Sequence, residues 1–168
     1  RCQDIVKNMK IPCKVVEGGA TRQESVRNGL CCAKGKYAAV HDGARALITP
    51  EEIKRVIAGA KDFGAAALGV RAKDTIKTAD EKGFILATID RNCAYMIQTP
   101  QVFERERLID AHKRAENDGF CATDDCMIME REGVKIKICE GSYENIKLTT
   151  PEDIYTAERI LKKRGEII

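Results

Sequence analysis

Tyr37-Ala38-Ala39-Val40-His41-Asp42-Gly43-Ala44-Arg45-Ala46-Leu47-Ile48-Thr49-Pro50-Glu51-Glu52 is the stretch that sorts this chain into a fold class. Its first four residues read as a short apolar strand. Thr49 to Glu52 carry the signals of a helix start, a hydroxyl cap followed by Pro and then an acid with capping-box spacing. Between the two elements the chain displays one carboxylate, Asp42, and one guanidinium, Arg45. Gly43 and Ala44 put almost no bulk between them, so a ligand can approach the backbone closely. A strand end of this kind suits a metal–phosphate group. Taken alone, the same residues also describe a surface salt bridge in a loop.

Working outward, strand and helix signals alternate. Upstream, Arg1 to Lys10 reads as the remainder of an amphipathic helix ended by Pro12, and Lys14 to Glu17 as a short strand broken by Gly18-Gly19. Thr21 to Glu24 has capping-box spacing and opens a helix with Val26 and Leu30 inward, closed by Gly29 and Lys34-Gly35. Downstream, Ile53, Val56, Ile57 and Ala60 form one apolar stripe on a helix ended by Gly64, and Ala65 to Val70 is apolar throughout, as for a strand covered on both faces. Lys73 to Thr78 and Phe84 to Asp90 flank the polar turn Ala79 to Gly83, which reads as a hairpin inserted into the alternation. A lone hairpin is marginal, so this one needs something to pack on, such as a second subunit. Glu104 to Ala115 predicts a helix with Leu108, Ala111, His112 and Ala115 on one face, and Thr123-Asp124-Asp125 caps a short helix through Met129. Val134, Ile136 and Ile138 alternate as a strand, Asn145 to Leu148 reads as another, and Thr150-Pro151-Glu152-Asp153 starts a last helix with Ile154, Ala157 and Leu161 inward.

Composition narrows the class. A chain of 168 residues, 43% hydrophobic and 33% charged, is one ordinary globular domain, here 1–168. With four Phe, four Tyr and no Trp, its core must be aliphatic. A net charge of +3, with no basic run longer than Lys162-Lys163-Arg164, argues against a nucleic-acid protein. No apolar stretch has membrane-spanning length, and no signal peptide is visible. The eight cysteines form no C-x-x-C pair and only two histidines could assist them, so reduced structural thiols in a cytoplasmic protein are expected rather than a disulfide or zinc framework. His41 and His112 read as structural histidines.

Strands alternating with helices mean an α/β, three-layer and mostly parallel sheet, in which ligands sit at the carboxyl ends of the strands. That rule collects Gly19 to Ser25, Asp42 and Arg45, Arg71 to Thr75, and Lys147 on one rim. Each could singly be a solvated loop group; together they form a phosphate-handling set.

Seven segments, in order, resemble the 2-C-methyl-D-erythritol 4-phosphate cytidylyltransferases of the non-mevalonate isoprenoid pathway. They are Gly18-Gly19-x-x-Arg22-x-x-Ser25-Val26-x-x-Gly29-Leu30, Val40-His41-Asp42-Gly43-Ala44-Arg45, Lys73-Asp74-Thr75-Ile76-Lys77, Asp90-Arg91-Asn92, Gln98-Thr99-Pro100-Gln101-x-Phe103, Thr123-Asp124-Asp125 and Asn145-Ile146-Lys147-x-Thr149-x-Pro151-Glu152-Asp153. The resemblance implies a Rossmann-like nucleotidyltransferase fold and a homodimer locked by a hairpin arm at about 72–99. It implies transfer of CMP from CTP to a sugar-alcohol phosphate, with pyrophosphate released and a divalent metal, usually Mg²⁺, at Asp42. Matched position by position, Gly19 and Ser25 would touch the cytidine half of CTP, with Asp42 and Gly43 between nucleotide, metal and substrate. Arg45, together with Thr75 and Arg91 of the partner's arm, would hold the methylerythritol phosphate. Lys147 would place that phosphate for attack, so Arg91 and Lys147 are the catalytic candidates.

Three positions depart from the family pattern. Ala20 stands where an acid is common, and Gly43 and Ala46 replace a more usual Ala and Pro. The family's first strand and its Gly-rich loop, with an Arg and a Lys for the triphosphate, would precede Arg1, so the chain is expected to be nearly inactive without them. A ribitol-5-phosphate cytidylyltransferase, with the same fold and reaction, is the nearest alternative reading. A non-catalytic dimeric nucleotide-binding fragment is the alternative of another class.

Overall fold

The structure, a computed structural model, describes residues 12–166. The helix expected over Arg1 to Lys10 lies outside the described residues. The described chain divides into two compact units, 12–38 with Glu104–Gly133 and Ala39–Phe103 with 134–166.

In the first unit, helix α1 spans Arg22–Cys32 and is capped by Thr21, whose side chain accepts the Glu24 amide proton. The second half of the expected capping box lands one residue early, because the Glu24 carboxylate accepts from the Ala20 amide at 2.7 Å. Gly29 lies inside α1 rather than ending it. Lys14 to Glu17 carries no strand in the described structure: its two β-branched valines favour one, but a segment becomes a strand only by pairing. Strand β1 follows at Tyr37–Val40.

The second unit begins within β1. Helix α2, Pro50–Phe63, closes a full capping box between Thr49 and Glu52 and ends at Gly64, whose left-handed φ of 87° only a residue without a Cβ adopts cheaply. Strand β2, Ala65–Arg71, is buried from Ala65 to Val70, as its continuous apolar run predicts. The hairpin also forms, with β3 at Lys77–Ala79 and β4 at Ile85–Thr88 paired antiparallel. Asp80 Oδ1 holds its turn by accepting from the amides of Lys82 and Phe84. The hairpin tip leaves Phe84, Ile85 and Leu86 between 66% and 69% exposed.

Strand β5, Tyr95–Glu104, returns antiparallel beside β2. It is ten residues long, yet Pro100 within it argues against a strand when only the sequence is read. Pairing resolves the conflict. Leu68 faces Gln98 and Ala67 faces Gln101, so Thr99 and Pro100 form a bulge that needs no ladder bond from the proline.

First-unit structure resumes after β5. Helix α3, Arg105–Asn117, buries Leu108, Ala111, His112 and Ala115 as their spacing predicts. Helix α4, Asp125–Arg131, starts at Asp124, whose carboxylate accepts the Met127 amide proton. The second unit ends with β6 at Lys137–Glu140, parallel to β2, and helix α5 at Pro151–Arg164. The sheet order is β1–β5–β2–β6.

Three sequence expectations are corrected here. The strand starts only at Lys137 and its buried residue is Cys139, whereas Ile138 is 37% exposed. Asn145 to Leu148 is not a strand: one backbone–backbone bond joins it to the 42–45 loop, Leu148 N–H to Ala44 O at 2.8 Å, without a ladder. On α5 Ala157 is buried and Leu161 packs against the same cluster, as expected, but Ile160 joins Ala157 and Leu47 in that core while Ile154 is 55% exposed.

Helix α2 packs on β2 and β6, and Gly59 permits the approach. A Cβ on Gly59 would lie 2.5 Å from Cys139 Sγ and 3.3 Å from the Ala66 side chain. Gly59→Ala should therefore destabilise the protein by about 1–3 kcal/mol through overpacking. Adding Cys139→Ala should recover part of that loss. Urea denaturation of the two variants measures both effects.

Candidate functional site

Asp42, Arg45 and Lys147 converge in the second unit. Asp42 Oδ2 lies 3.1 Å from Lys147 Nζ and 3.9 Å from Arg45 Nε. One carboxylate does not neutralise two cations, so the cluster is net positive and suited to a phosphate. Its members differ in setting. The Arg45 side chain is 14% exposed and that of Lys147 is 48% exposed. Burial pulls the Arg45 guanidinium below its ordinary pKa, with Asp42 pulling the other way; an arginine stays charged under such a shift. Arg45 Nη1 is tied to the Asn145 carbonyl at 2.6 Å. Gly43, between the charges, is exposed, and a Cβ there would meet nothing within 4 Å.

The other two phosphate candidates pair with each other at the base of the hairpin. Arg91 Nη2 donates to Thr75 Oγ1 at 3.3 Å, and both residues are exposed. Arg91 opens a single 3₁₀ turn, Arg91–Cys93, set by Asp90, whose side chain accepts the Asn92 amide proton. No hydrogen bond or ion pair joins Thr75 or Arg91 to Asp42, Arg45 or Lys147 among the described residues.

Gly19 and Ser25 meet in the first unit. Ser25 Oγ accepts the Gly19 amide proton and donates to Thr21 O, both at 2.9 Å. The hydroxyl thus folds the glycine loop over the start of α1. Arg22, the first residue of α1, reaches Asp125 Oδ2 at 2.7 Å, and His112 Nε2 lies 2.9 Å from Asp125 Oδ1. Asp125 and His112 are fully buried, so the apolar-face histidine is structural, as its position predicts.

A profile of the family described as 2-C-methyl-D-erythritol 4-phosphate cytidylyltransferase, IspD, matches residues 1–163. The chain belongs to this family. A cytidylyltransferase of that name from Caldanaerobacter subterraneus subsp. tengcongensis is 51% identical over 154 residues, which cover 90% of this chain and 68% of the relative. One from Desulforamulus reducens is 44% identical over 169 residues, covering 98% and 72%. The crystal structure of a 4-diphosphocytidyl-2C-methyl-D-erythritol synthase from Anaerococcus prevotii superposes with a TM-score of 0.90 at 30% identity, covering 96% of this chain and 75% of that one. A cytidylyltransferase structure from Thermus thermophilus gives 0.79 at 31%, covering 92% and 79%. Family membership carries the cytidylyltransferase class, and the superpositions carry the Rossmann-like α/β fold with its mostly parallel sheet.

Reading by sequence overlooked the polar residues beneath the cluster. Gln98, Thr99 and Asn145 are 6%, 5% and 0% exposed. The only available signal was that all three fall inside matched motifs.

The Asp125 triad yields a pH prediction. Burial alone would raise this carboxyl, but the His112 hydrogen bond and the Arg22 charge outweigh it, and its pKa is lowered. A folded value below the unfolded one, about 3.9, stabilises the protein above that pH, and the contribution is lost as pH falls toward the folded value. Denaturation midpoints compared at about pH 5 and pH 3 should therefore fall less in Asp125→Asn than in the parent.

Proposed function

We propose that this chain transfers CMP from CTP to 2-C-methyl-D-erythritol 4-phosphate, in isoprenoid precursor biosynthesis. The observation that carries the reading is the net-positive Asp42–Arg45–Lys147 cluster in a chain of this family. In the reaction an oxygen of the substrate phosphate bonds to the α-phosphorus of CTP. The bond between the α-phosphorus and the oxygen that bridges it to the β-phosphorus breaks, and pyrophosphate leaves with that oxygen and the electron pair. Both partners are anionic, so the protein's work is positioning and charge neutralisation. Lys147 and Arg45 hold the attacking phosphate, and Gly43 lets it approach the backbone. Thr75 and Arg91 reach the phosphate from the arm of a second copy. Gly19 and Ser25 take the cytidine, Ser25 through its remaining lone pair.

A divalent metal such as Mg²⁺ fits the donor set only as a partner of the nucleotide. Among the described residues no group of three His, Cys, Asp or Glu could hold an ion. Asp42 alone suits a hard cation that takes its other ligands from phosphate oxygens and water. Such an ion would neutralise charge on the triphosphate.

The exposed Phe84, Ile85 and Leu86 support a homodimer through the arm, since an apolar hairpin tip of this kind calls for a cover. No helix among the described residues is long and apolar enough to cross a membrane. A cytoplasmic location suits the seven free cysteines among the described residues.

Pyrophosphate release should occur when the natural full-length protein is given CTP, Mg²⁺ and methylerythritol phosphate. Release with ribitol phosphate instead would reassign the substrate, and release with neither would leave only a nucleotide-binding role. Arg91→Ala should lower turnover roughly 100-fold with CTP affinity nearly intact; an unchanged rate would remove the arm from the site. Lys147→Ala should likewise lower turnover more than nucleotide affinity, read by separate binding and rate measurements.

A further inference from the structure

The two loops that carry Asp42, Arg45 and Lys147 meet over one buried hydroxyl, and we infer that Thr99 is the positioning residue that sets the reactive geometry of this site. The inference rests on the roles proposed for Asp42, beside the metal and nucleotide, and for Arg45, on the phosphate, and it concerns a residue with no role in that scheme. The bulge in β5 makes it possible, because it takes Thr99 out of register with β2 while its hydroxyl meets the loop after β1.

A directed chain of hydrogen bonds starts there. The Asp42 amide donates to Thr99 Oγ1 at 3.0 Å. Thr99 Oγ1 lies 3.0 Å from His41 Nδ1, and His41 Nε2 lies 3.2 Å from the Arg45 carbonyl. A carbonyl can only accept, so Nε2 carries the proton and, in the neutral ring, Nδ1 accepts from the Thr99 hydroxyl. Every donor in the chain then has one acceptor, and the imidazole closes a ring around Asp42, Gly43 and Ala44. From the other side, Asn145 Nδ2 donates to the Thr99 carbonyl at 3.1 Å, while the Asn145 carbonyl receives Arg45 Nη1 at 2.6 Å. Thr99 therefore touches the Asp42 amide through its side chain and the Arg45 anchor through its backbone. None of these atoms needs to contact substrate.

A hydroxyl with a purely structural role would move stability and leave the rate alone. The experiment compares Thr99→Val, which keeps the shape and loses the hydroxyl, with Thr99→Ser, which keeps the hydroxyl, in the natural full-length protein. His41→Phe is the second variant, at an exposed position whose loss does not threaten folding. Three quantities are read: thermal midpoint, hydrogen exchange of the Asp42 amide, and kcat beside KM for each substrate.

Thr99→Val and His41→Phe should lower kcat roughly 10- to 100-fold, with CTP affinity within about two-fold and Thr99→Ser close to the parent. Exchange at Asp42 should quicken in Thr99→Val and not in Thr99→Ser. An unchanged kcat in both Thr99→Val and His41→Phe overturns the inference, as does a loss that Thr99→Ser fails to restore. A parent protein that releases no pyrophosphate overturns the proposed reaction instead. The exchange comparison then decides alone whether Thr99 holds the loop, and equal exchange in the three chains overturns that too.

Discussion

A carboxylate facing two cations must be held from beneath by groups that are themselves satisfied, because a buried polar atom without a partner costs about 1–3 kcal/mol. Gln98, Thr99 and the side-chain nitrogen and backbone carbonyl of Asn145 meet most of that demand under Asp42, Arg45 and Lys147, while Asn145 Oδ1 is buried without a hydrogen-bond partner among the described residues. Asn145 donates to Gln98 Oε1 and to the Thr99 carbonyl, and Gln98 donates to the Ser142 carbonyl at 2.8 Å. These bonds decide where β5 bulges and where the segment after β6 lies. The loop 42–45 and the segment 145–148 take their places from that polar layer, joined by the Leu148 amide to the Ala44 carbonyl.

The charges above this layer divide the work by exposure. Arg45 is sunk and anchored on a carbonyl, so its position is set before any ligand arrives. Lys147 is about half exposed, and its ammonium can follow a phosphate over a short range. A surface pair between Lys147 and Asp42 adds little to stability, which leaves the lysine free to exchange Asp42 for a stronger anion. The fixed guanidinium and the adjustable ammonium together suit a phosphate that must first be held and then advanced.

Legibility followed the reach of the interactions involved. The starts of α2 and α5 were readable because Thr49-Pro50-Glu51-Glu52 and Thr150-Pro151-Glu152-Asp153 fold on themselves within one turn. The hairpin and the buried β2 were readable from local alternation and from an unbroken apolar run. Strand β5 was hidden because its proline is acceptable only in the register that β2 imposes. Asn145 to Leu148 misled for the opposite reason: its pattern alternates, yet no neighbouring strand supplies a ladder. The charged site residues were visible in motifs. The residues that hold them were not, since the burial of Thr99 and Asn145 arises only when distant segments meet.

The capping boxes at Thr49 and Thr150 have a consequence for conformational entropy. Each ties down the chain a few residues beyond a charged member of the cluster, while β1 and the buried Asn145 fix the other ends. The stretches holding Asp42, Arg45 and Lys147 are thus short spans between two clamps with little slack to lose. Ordering a residue costs roughly 1–2 kcal/mol, and here most of that cost falls on folding rather than on association. A ligand reaching this surface meets a receptor already low in entropy, so little of its contact energy is diverted into freezing the protein.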